Sequence, residues 1–171
     1  LLLNALKVAA APGEDAACER AVQFGKGWIA DMMTQMDTQL DPPTRERVME
    51  SLGRACFNGA HHEPGAPTPV NLDAWLAGFQ KHVGPENLYR EGDTVHFKYV
   101  QNPRGLRVAD GYCLCPIVED GPETLSPTFC HCSVGYVSEI FGRGSGRKVK
   151  VELADSLRRG GTECHFVVRF V

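Results

Sequence analysis

The spacing of apolar residues divides the chain into a helical first half and a second half in which strands alternate with one helix. From Glu14 to Leu40, apolar residues recur every three or four positions, which is the pattern of a helix with one buried face. The members of that stripe are Ala21, Phe24, Trp28, Ile29, Met32, Met36 and Leu40. The following Asp-Pro-Pro ends the helix, because proline cannot continue it.

Two further helices are predicted before residue 84. The second runs from about Thr44 to Phe57, and its apolar positions at a spacing of four are Val48, Leu52 and Cys56, which places Cys56 on the buried face. The third begins after Asn71, a favourable N-cap, and ends at Gly84. Its buried residues are expected to be Leu72, Trp75, Leu76, Phe79 and Val83.

The second half of the chain shows the period of two that is typical of half-buried strands. Alternation predicts strands at 94–100, 111–118, 148–153 and 164–170. The first two are expected to form a hairpin through a turn at 102–105, and Ser-Leu-Arg-Arg-Gly-Gly at 156–161 is expected to be a turn between the last two. A helix lies between the two strand pairs, with apolar residues at Val134, Val137, Ile140 and Phe141 and a predicted end at Gly142.

This order of elements predicts an α+β domain with a mainly antiparallel sheet of about four or five strands, packed with N-terminal helices and one inserted helix. The length of 171 residues fits one domain, and neither a repeat nor a change of composition marks a boundary. We therefore treat 1–171 as a single domain with a helical half at 14–84 and a sheet-rich half at 90–171.

Composition narrows the classes of partner and compartment. The net charge is −3 and the basic residues form no long cluster, so nucleic-acid binding is not expected. Apolar runs fall short of the roughly 20 residues that span a membrane, which predicts a soluble protein without a membrane partner. Seven cysteines, an odd number that includes two Cys-x-Cys pairs, fit a reduced cytoplasmic protein better than a secreted disulfide framework.

Those two pairs, Cys113/Cys115 and Cys130/Cys132, are the main chemical feature of the sequence. If they converge, four thiolates would supply the tetrahedral ligand set of a zinc site. They are also compatible with reduced thiols packed as small apolar residues. A third possibility is a reactive thiol at Cys130 or Cys132, since both fall at a helix N-terminus, with His131 between them as a candidate base.

Other candidate residues are less specific. His61, His62, Glu63 and Cys56 have metal-binding side chains, but they lie in or next to a stretch rich in proline and glycine that is typical of an exposed loop. Large apolar residues are expected to form the core, or to line a cavity if the helices stand away from the sheet. The candidates for ligand contact are Trp28, Met32, Trp75, Phe79 and Tyr112.

The segment Val149 to Val168, together with a cysteine before the inserted helix, resembles the closing half of the 4-vinyl reductase-type small-ligand-binding domains. The resemblance implies a zinc ion beside an apolar pocket, held by Cys130 or Cys132 with Glu152 and Cys164, while Asp155 stands where a further cysteine is expected. The double Cys-x-Cys pattern is also similar to a bacterial family near the L-2-amino-thiazoline-4-carboxylic acid hydrolases.

The sequence therefore favours a binding domain for an apolar or aromatic small molecule, with a cysteine-rich wall and zinc as its one candidate cofactor. One alternative is a hydrolase that acts on a small heterocyclic acid through metal-bound water or a cysteine thiolate. Another is an interaction module that forms a homodimer through its helices. No catalytic residue is assigned beyond the candidates Cys130, Cys132 and His131.

Overall fold

A computed structural model describes residues 14–60, 71–101, 105–115 and 125–171. Its α-helices are α1 (Glu14–Gln39), α2 (Pro42–Ala60), α3 (Leu72–Val83) and α4 (His131–Ser145). Its strands are β1 (Leu88–Glu91), β2 (Thr94–Lys98), β3 (Val149–Asp155) and β4 (His165–Phe170). Short 3₁₀ turns occupy Val108–Asp110, Pro127–Cys130 and Leu157–Arg159. No helix among the described residues is both long enough and apolar enough to cross a membrane.

The four strands form one antiparallel sheet in the order β1-β2-β4-β3, which confirms the α+β prediction. Alternation places Val95, Phe97, Phe166 and Val168 on the inner face, where all four are buried. Helix α4 and part of α3 cover this face, with Phe141 of α4 fully buried at the centre. The outer face carries mainly polar side chains, among them His96, Lys98, Glu152 and Arg169.

Helix α3 has the predicted bounds and caps. The side chain of Asn71 accepts a hydrogen bond from the backbone N–H of Ala74 at 3.0 Å, and Gly84 ends the helix with a φ of +91°. Its aromatic residues lie against the core, since the rings of Trp75 and Phe141 are 5.4 Å apart and those of Phe79 and Phe97 are also 5.4 Å apart.

Helices α2 and α4 cross at a pair of glycines. A Cβ at Gly53 would overlap the backbone of Cys132, and a Cβ at Gly135 would overlap the carbonyl group of Glu50. This contact rotates α2 so that Met49 and Gly53 are buried, whereas Val48, Leu52 and Cys56 are exposed. The prediction of a buried face with Cys56 on α2 is therefore wrong, because the buried residues lie one position further along the helix. The spacing of apolar residues could not indicate this, since the helices touch at glycines, which have no apolar side chain.

The predicted strand at 111–118 is also wrong over its described part. The chain makes a 3₁₀ turn at Val108–Asp110, Gly111 follows with a φ of +91°, and residues 112–115 are not in a strand. Strand β2 already has β1 and β4 on its two edges, so no edge of β2 remains for a hairpin partner. A single bridge between Gln101 and Arg107 is the described remnant of the predicted reversal, while 102–104 and 116–118 lie outside the described residues.

Two predictions about turns have different outcomes. The segment after β3 is a single 3₁₀ turn that ends at Gly160 with a φ of +85°, which confirms a reversal there rather than a helix. Helix α4, in contrast, continues past Gly142 and ends at Gly146, whose φ is +66°. Gly144, in this last turn, makes room for Trp75, whose indole occupies the space that a Cβ would fill.

Candidate functional site

A cavity of about 470 Å³ lies between α2, the start of α4 and the inner face of the sheet. Its walls are mainly apolar, and they include six of the seven cysteines of the chain. The cysteines are Cys56, Cys113, Cys115, Cys130, Cys132 and Cys164. The other described lining residues are Gly53, Tyr99, Gln101, Leu114, Phe129, Ser133, Tyr136, Leu153, Ser156 and Phe166.

A capped turn positions Cys130 and Cys132. Ser126 accepts a hydrogen bond from the Thr128 backbone N–H at 3.1 Å, so Pro127–Cys130 forms a 3₁₀ turn that leads directly into α4. The Thr128 hydroxyl donates to Asp37 of α1 at 2.7 Å, and Asp37 is 3.4 Å from Arg45 of α2. This chain of contacts fixes the start of α4, and with it Cys130 and Cys132, against the first two helices.

Three of the remaining cysteines reach the cavity from two other directions. Cys113 and Cys115 follow the left-handed Gly111 and pack with Met33, Met49 and other residues of a second apolar cluster. Cys164 is buried next to β4, and its carbonyl oxygen accepts a hydrogen bond from the Tyr99 N–H at 3.1 Å. The two Cys-x-Cys pairs therefore line one cavity together with Cys164.

Burial controls the ionisation of these thiols. It raises the pKa of Cys132 to about 12, and the neighbouring thiol of Cys115 adds to the rise. Burial likewise raises the pKa of Cys164 to about 12, and it raises the pKa of Cys130 although Ser156 partly opposes that change. A helix N-terminus stabilises a thiolate, but here the loss of solvent has the larger effect. The three thiols are therefore protonated near neutral pH and behave as small apolar groups.

Two hydroxyl groups stand out among these apolar walls. The Tyr99 hydroxyl and the Ser156 hydroxyl are buried and make no hydrogen bond of normal geometry within the described part of the chain. Burial raises the pKa of Tyr99 well above its ordinary value, while the side chain of Ser133 lowers it in part. A buried hydroxyl without a well-formed hydrogen bond costs roughly 1–3 kcal/mol, so both groups are places where a bound polar atom would be favoured.

The five residues predicted to contact a ligand lie elsewhere. Trp28 is 59% exposed on α1, Tyr112 is 40% exposed, and Met32 packs in the second apolar cluster. Trp75 and Phe79 belong to the core between α3 and the sheet. None of the five is among the described residues that line the cavity, where the aromatic residues are Tyr99, Phe129, Tyr136 and Phe166. Tyr99 could have been found from sequence, because alternation places it on the same face as Val95 and Phe97.

His131, the candidate base, lies outside the cavity lining. Its Nε2 atom is 3.7 Å from a carboxylate oxygen of Glu46 on α2. Its ring faces Glu46 across the contact between α4 and α2, outside the lining that holds the thiols of Cys130 and Cys132.

Of the zinc ligands implied by the resemblance, Cys130, Cys132 and Cys164 line the cavity, whereas Glu152 faces away from it. Glu152 lies on the outer face of β3 and pairs with Arg169 at 2.8 Å, while the cavity is on the inner face. Asp155 accepts a hydrogen bond from the Ser156 N–H at 2.8 Å. Within the described ranges, no three His, Cys, Asp or Glu side chains are arranged to hold one metal ion. His61, His62 and Glu63 lie outside the described residues.

Comparison with known proteins adds one match. Residues 98–169 match the model of a family of unknown function, DUF6144. The matched segment is less than half of the chain and extends from the end of β2 through β4. It includes five of the cavity cysteines, Cys113, Cys115, Cys130, Cys132 and Cys164. No curated protein matches the chain.

Proposed function

We propose that this chain binds a small, largely apolar molecule in the thiol-lined cavity. The observation that supports the proposal most is the cavity itself, whose volume of about 470 Å³ and mainly apolar walls are typical of small-molecule sites. Such sites combine an apolar surface with a few polar groups that orient the ligand. Besides the thiols, the polar side chains of the lining are the hydroxyls of Tyr99, Ser133, Tyr136 and Ser156 and the amide of Gln101.

The chemistry of the walls favours binding over nucleophilic catalysis. A cysteine attacks as its thiolate, and a thiol with a pKa of about 12, as for Cys132 and Cys164, is ionised in only about one molecule in 10⁵ at pH 7. Neutral thiols, aromatic rings and a few hydroxyls suit a ligand such as a phenol, which has one hydrogen-bonding group on an apolar ring. The hydrolase alternative would need an ionised thiol or a metal-bound water.

Ligand-observed ¹⁹F NMR tests this proposal with 4-fluorophenol, fluorobenzene and 4-fluorobenzoate as probes. We expect 4-fluorophenol to bind most tightly, because it supplies both an apolar ring and a hydroxyl group. Leu153→Trp fills the cavity and should abolish binding, while Ala154→Trp places the same side chain on the exposed outer face of β3 and should not. Cys56→Phe, at an exposed position on the cavity wall, serves as a second blocking variant if Leu153→Trp does not fold.

Failure of all three probes to bind would contradict the proposal for this class of ligand. Equal binding by the wild-type chain and by both blocking variants would place the ligand outside the cavity. Far-UV circular dichroism of each variant checks that lost binding does not reflect lost structure.

Zinc bound by the cysteines remains a prediction of the resemblance, and elemental analysis of the purified chain tests it separately. Zinc requires thiolate ligands, so it would have to displace the protons of thiols whose pKa is raised by burial, among them Cys130, Cys132 and Cys164. A thiol-bound zinc predicts one equivalent per chain that is lost in Cys132→Ser. A metal-free cavity predicts well below one equivalent and no change in that variant.

Self-association through the helices is a second candidate, which exposed apolar residues favour. Phe24 is 75% exposed and Trp28 59% exposed on α1, and Val48 and Leu52 are exposed on α2. Sedimentation velocity of the wild-type chain and of Phe24→Ser/Trp28→Ser tests this possibility. A dimer that dissociates in the double variant would support it, and a wild-type monomer at high concentration would exclude it.

A further inference from the structure

Strand β3 lies at one edge of the sheet, with β4 on one side and no partner strand among the described residues on the other. The N–H of Val171 donates to the carbonyl oxygen of Lys148 at 2.9 Å, so the backbone groups of Lys148 point towards the segment that continues β4. In an antiparallel pair, successive residues direct their N–H and C=O groups alternately towards the partner and away from it. The backbone groups of Val149, Val151 and Leu153 therefore point away from β4, at the edge of the sheet.

The side chains along this edge divide between the two faces of the sheet. Val149, Val151 and Leu153 lie on the inner face, where Val151 is buried and the other two are half-buried. Lys150 and Glu152 lie on the outer face, with exposed fractions of 68% and 47%. The edge therefore combines backbone donors and acceptors with an apolar row on one face and a cation and an anion on the other.

A second copy of β3 in antiparallel orientation fits this edge. With a two-fold axis at Val151, each Val149 lies opposite Leu153 of the second copy, and each Val151 lies opposite its own counterpart. All of these residues direct backbone groups at the edge, so each opposed pair can exchange two backbone hydrogen bonds. On the outer face, Lys150 then lies opposite Glu152 of the second copy, and Glu152 lies opposite Lys150. These are non-hydrogen-bonded positions, at which side chains are closest and opposite charges stabilise the pair.

Three nearby registers are less favourable because they oppose like charges. A two-fold axis at Lys150 or at Glu152 would place that residue opposite its own copy. An axis at Val149 would place Lys148 opposite Lys150. Like charges directly opposite each other destabilise a strand pair. The charges along β3 therefore favour the register centred on Val151.

We propose that the chain forms a homodimer through β3, in which the two sheets join into one continuous antiparallel sheet. The self-complementary charges favour a second copy over an unrelated strand, because the cation and the anion of each copy both meet their opposite. The paired segment, 149–153, is short beside the roughly 20–30 residues a side of a standard interface, so the dimer should be weak. The proposal does not depend on a ligand in the cavity, and its surface differs from the exposed apolar residues of α1 and α2.

Charge reversal at the two outer positions tests the proposed register. Sedimentation velocity at increasing concentration should detect a dimer of the wild-type chain. Lys150→Glu places carboxylates opposite each other at both symmetric positions, and Glu152→Lys places ammonium groups there. Each variant alone should therefore dimerise at least about tenfold more weakly than the wild type. An equimolar mixture of the two variants restores both opposite-charge pairs, and it should form a heterodimer about as readily as the wild type forms its dimer.

Two controls separate this interface from effects of net charge and from contacts through the helices. Lys81→Glu changes the net charge as Lys150→Glu does, but at an exposed position on α3, and it should leave the dimer unchanged. Phe24→Ser/Trp28→Ser should also leave it unchanged, because both residues lie on α1. Far-UV circular dichroism checks that each variant is folded.

Amide hydrogen exchange locates the interface on β3. At high concentration the N–H groups of Val149, Val151 and Leu153 should exchange more slowly than at low concentration, because they would be hydrogen-bonded across the interface. The N–H groups of Lys150 and Glu152 face β4, and their exchange should change much less. In Lys150→Glu, the exchange of all five should be independent of concentration.

Three results would overturn the proposal. One is a wild-type chain that stays monomeric at the highest concentration reached. Another is a mixture of Lys150→Glu and Glu152→Lys that dimerises no better than either folded variant alone. The third is a dimer that Lys150→Glu leaves intact, because the interface would then lie outside β3.

Discussion

Gly135→Ala should destabilise the domain, because this glycine lets α4 cross α2 at very short range. A Cβ at Gly135 would overlap the carbonyl oxygen of Glu50 and lie 2.7 Å from its carbon and 3.0 Å from the Arg54 nitrogen. Carbon atoms in contact are normally about 3.5–4.0 Å apart, so the helices would have to separate by about 1 Å or more. The atoms in the way are backbone, which cannot rotate aside as a side chain can.

The expected size follows from two opposing effects. Overpacking a well-packed contact costs roughly 1–3 kcal/mol and sometimes more, and a backbone clash belongs at the upper end of that range. Alanine recovers about 1 kcal/mol of helix propensity relative to glycine. The net loss in the free energy of unfolding should therefore be about 2 kcal/mol, or a fall in Tm of roughly 4–8 °C for a chain of this length.

Urea denaturation followed by circular dichroism at 222 nm measures this change. Gly78→Ala is the matched control, since Gly78 lies inside α3 and a Cβ there would meet no atom within 4 Å. The control should be stabilised by up to about 1 kcal/mol. If Gly135→Ala is as stable as Gly78→Ala, with an unchanged m-value, then α2 and α4 do not approach each other as described.

Three further predictions concern the cavity. At pH 8 a disulfide reagent should modify the exposed Cys18 and Cys56 quickly, and Cys132 and Cys164 much more slowly. Burial raises the pKa of these last two thiols to about 12, so few of them are thiolates at that pH; rapid reaction at Cys132 would contradict this. Folding raises the pKa of the Cys132 and Cys164 thiols from 9.0 to about 12. Their contribution to the free energy of unfolding is therefore complete below pH 9 and declines above it, by up to about 1.4 kcal/mol per pH unit for each thiol. Urea midpoints at pH 8, 9 and 10 should fall less in Cys164→Ala. Tyr99→Phe should leave the ligand-free domain as stable as the wild type or up to about 3 kcal/mol more stable, and it should weaken 4-fluorophenol binding; a large loss of stability would show that the hydroxyl has a strong partner.

Sequence patterns predicted correctly those helices and strands that are determined by residues close together in the chain. Asn71 and Gly84 bound α3 because a side-chain cap and a left-handed glycine act within one turn of the helix. Strands β2, β3 and β4 were predictable because apolar residues alternate along each of them on the covered face of the sheet. Strand β1 was missed because it is only four residues long and buries Leu88 alone.

The site depended on contacts that no local pattern contains. Which face of α2 is buried follows from the crossing at Gly53 and Gly135, and a residue without a side chain leaves no hydrophobic signal. The position of Cys113 and Cys115 follows from the turn at Gly111 and from the two occupied edges of β2, not from the alternation of residues 111–118. The sequence therefore indicated which cysteines matter, but not that they line a cavity between the helices and the sheet.

Intermolecular NOEs between bound 4-fluorophenol and methyl-labelled protein test the central claim most directly. The claim is that a small apolar ligand occupies the cavity between α2, α4 and the sheet. It predicts NOEs from the ring protons to the methyl groups of Leu114 and Leu153, both of which line the cavity. NOEs confined to the exposed methyl groups of Val22, Val48 and Leu52, on the outer surfaces of α1 and α2, would contradict it.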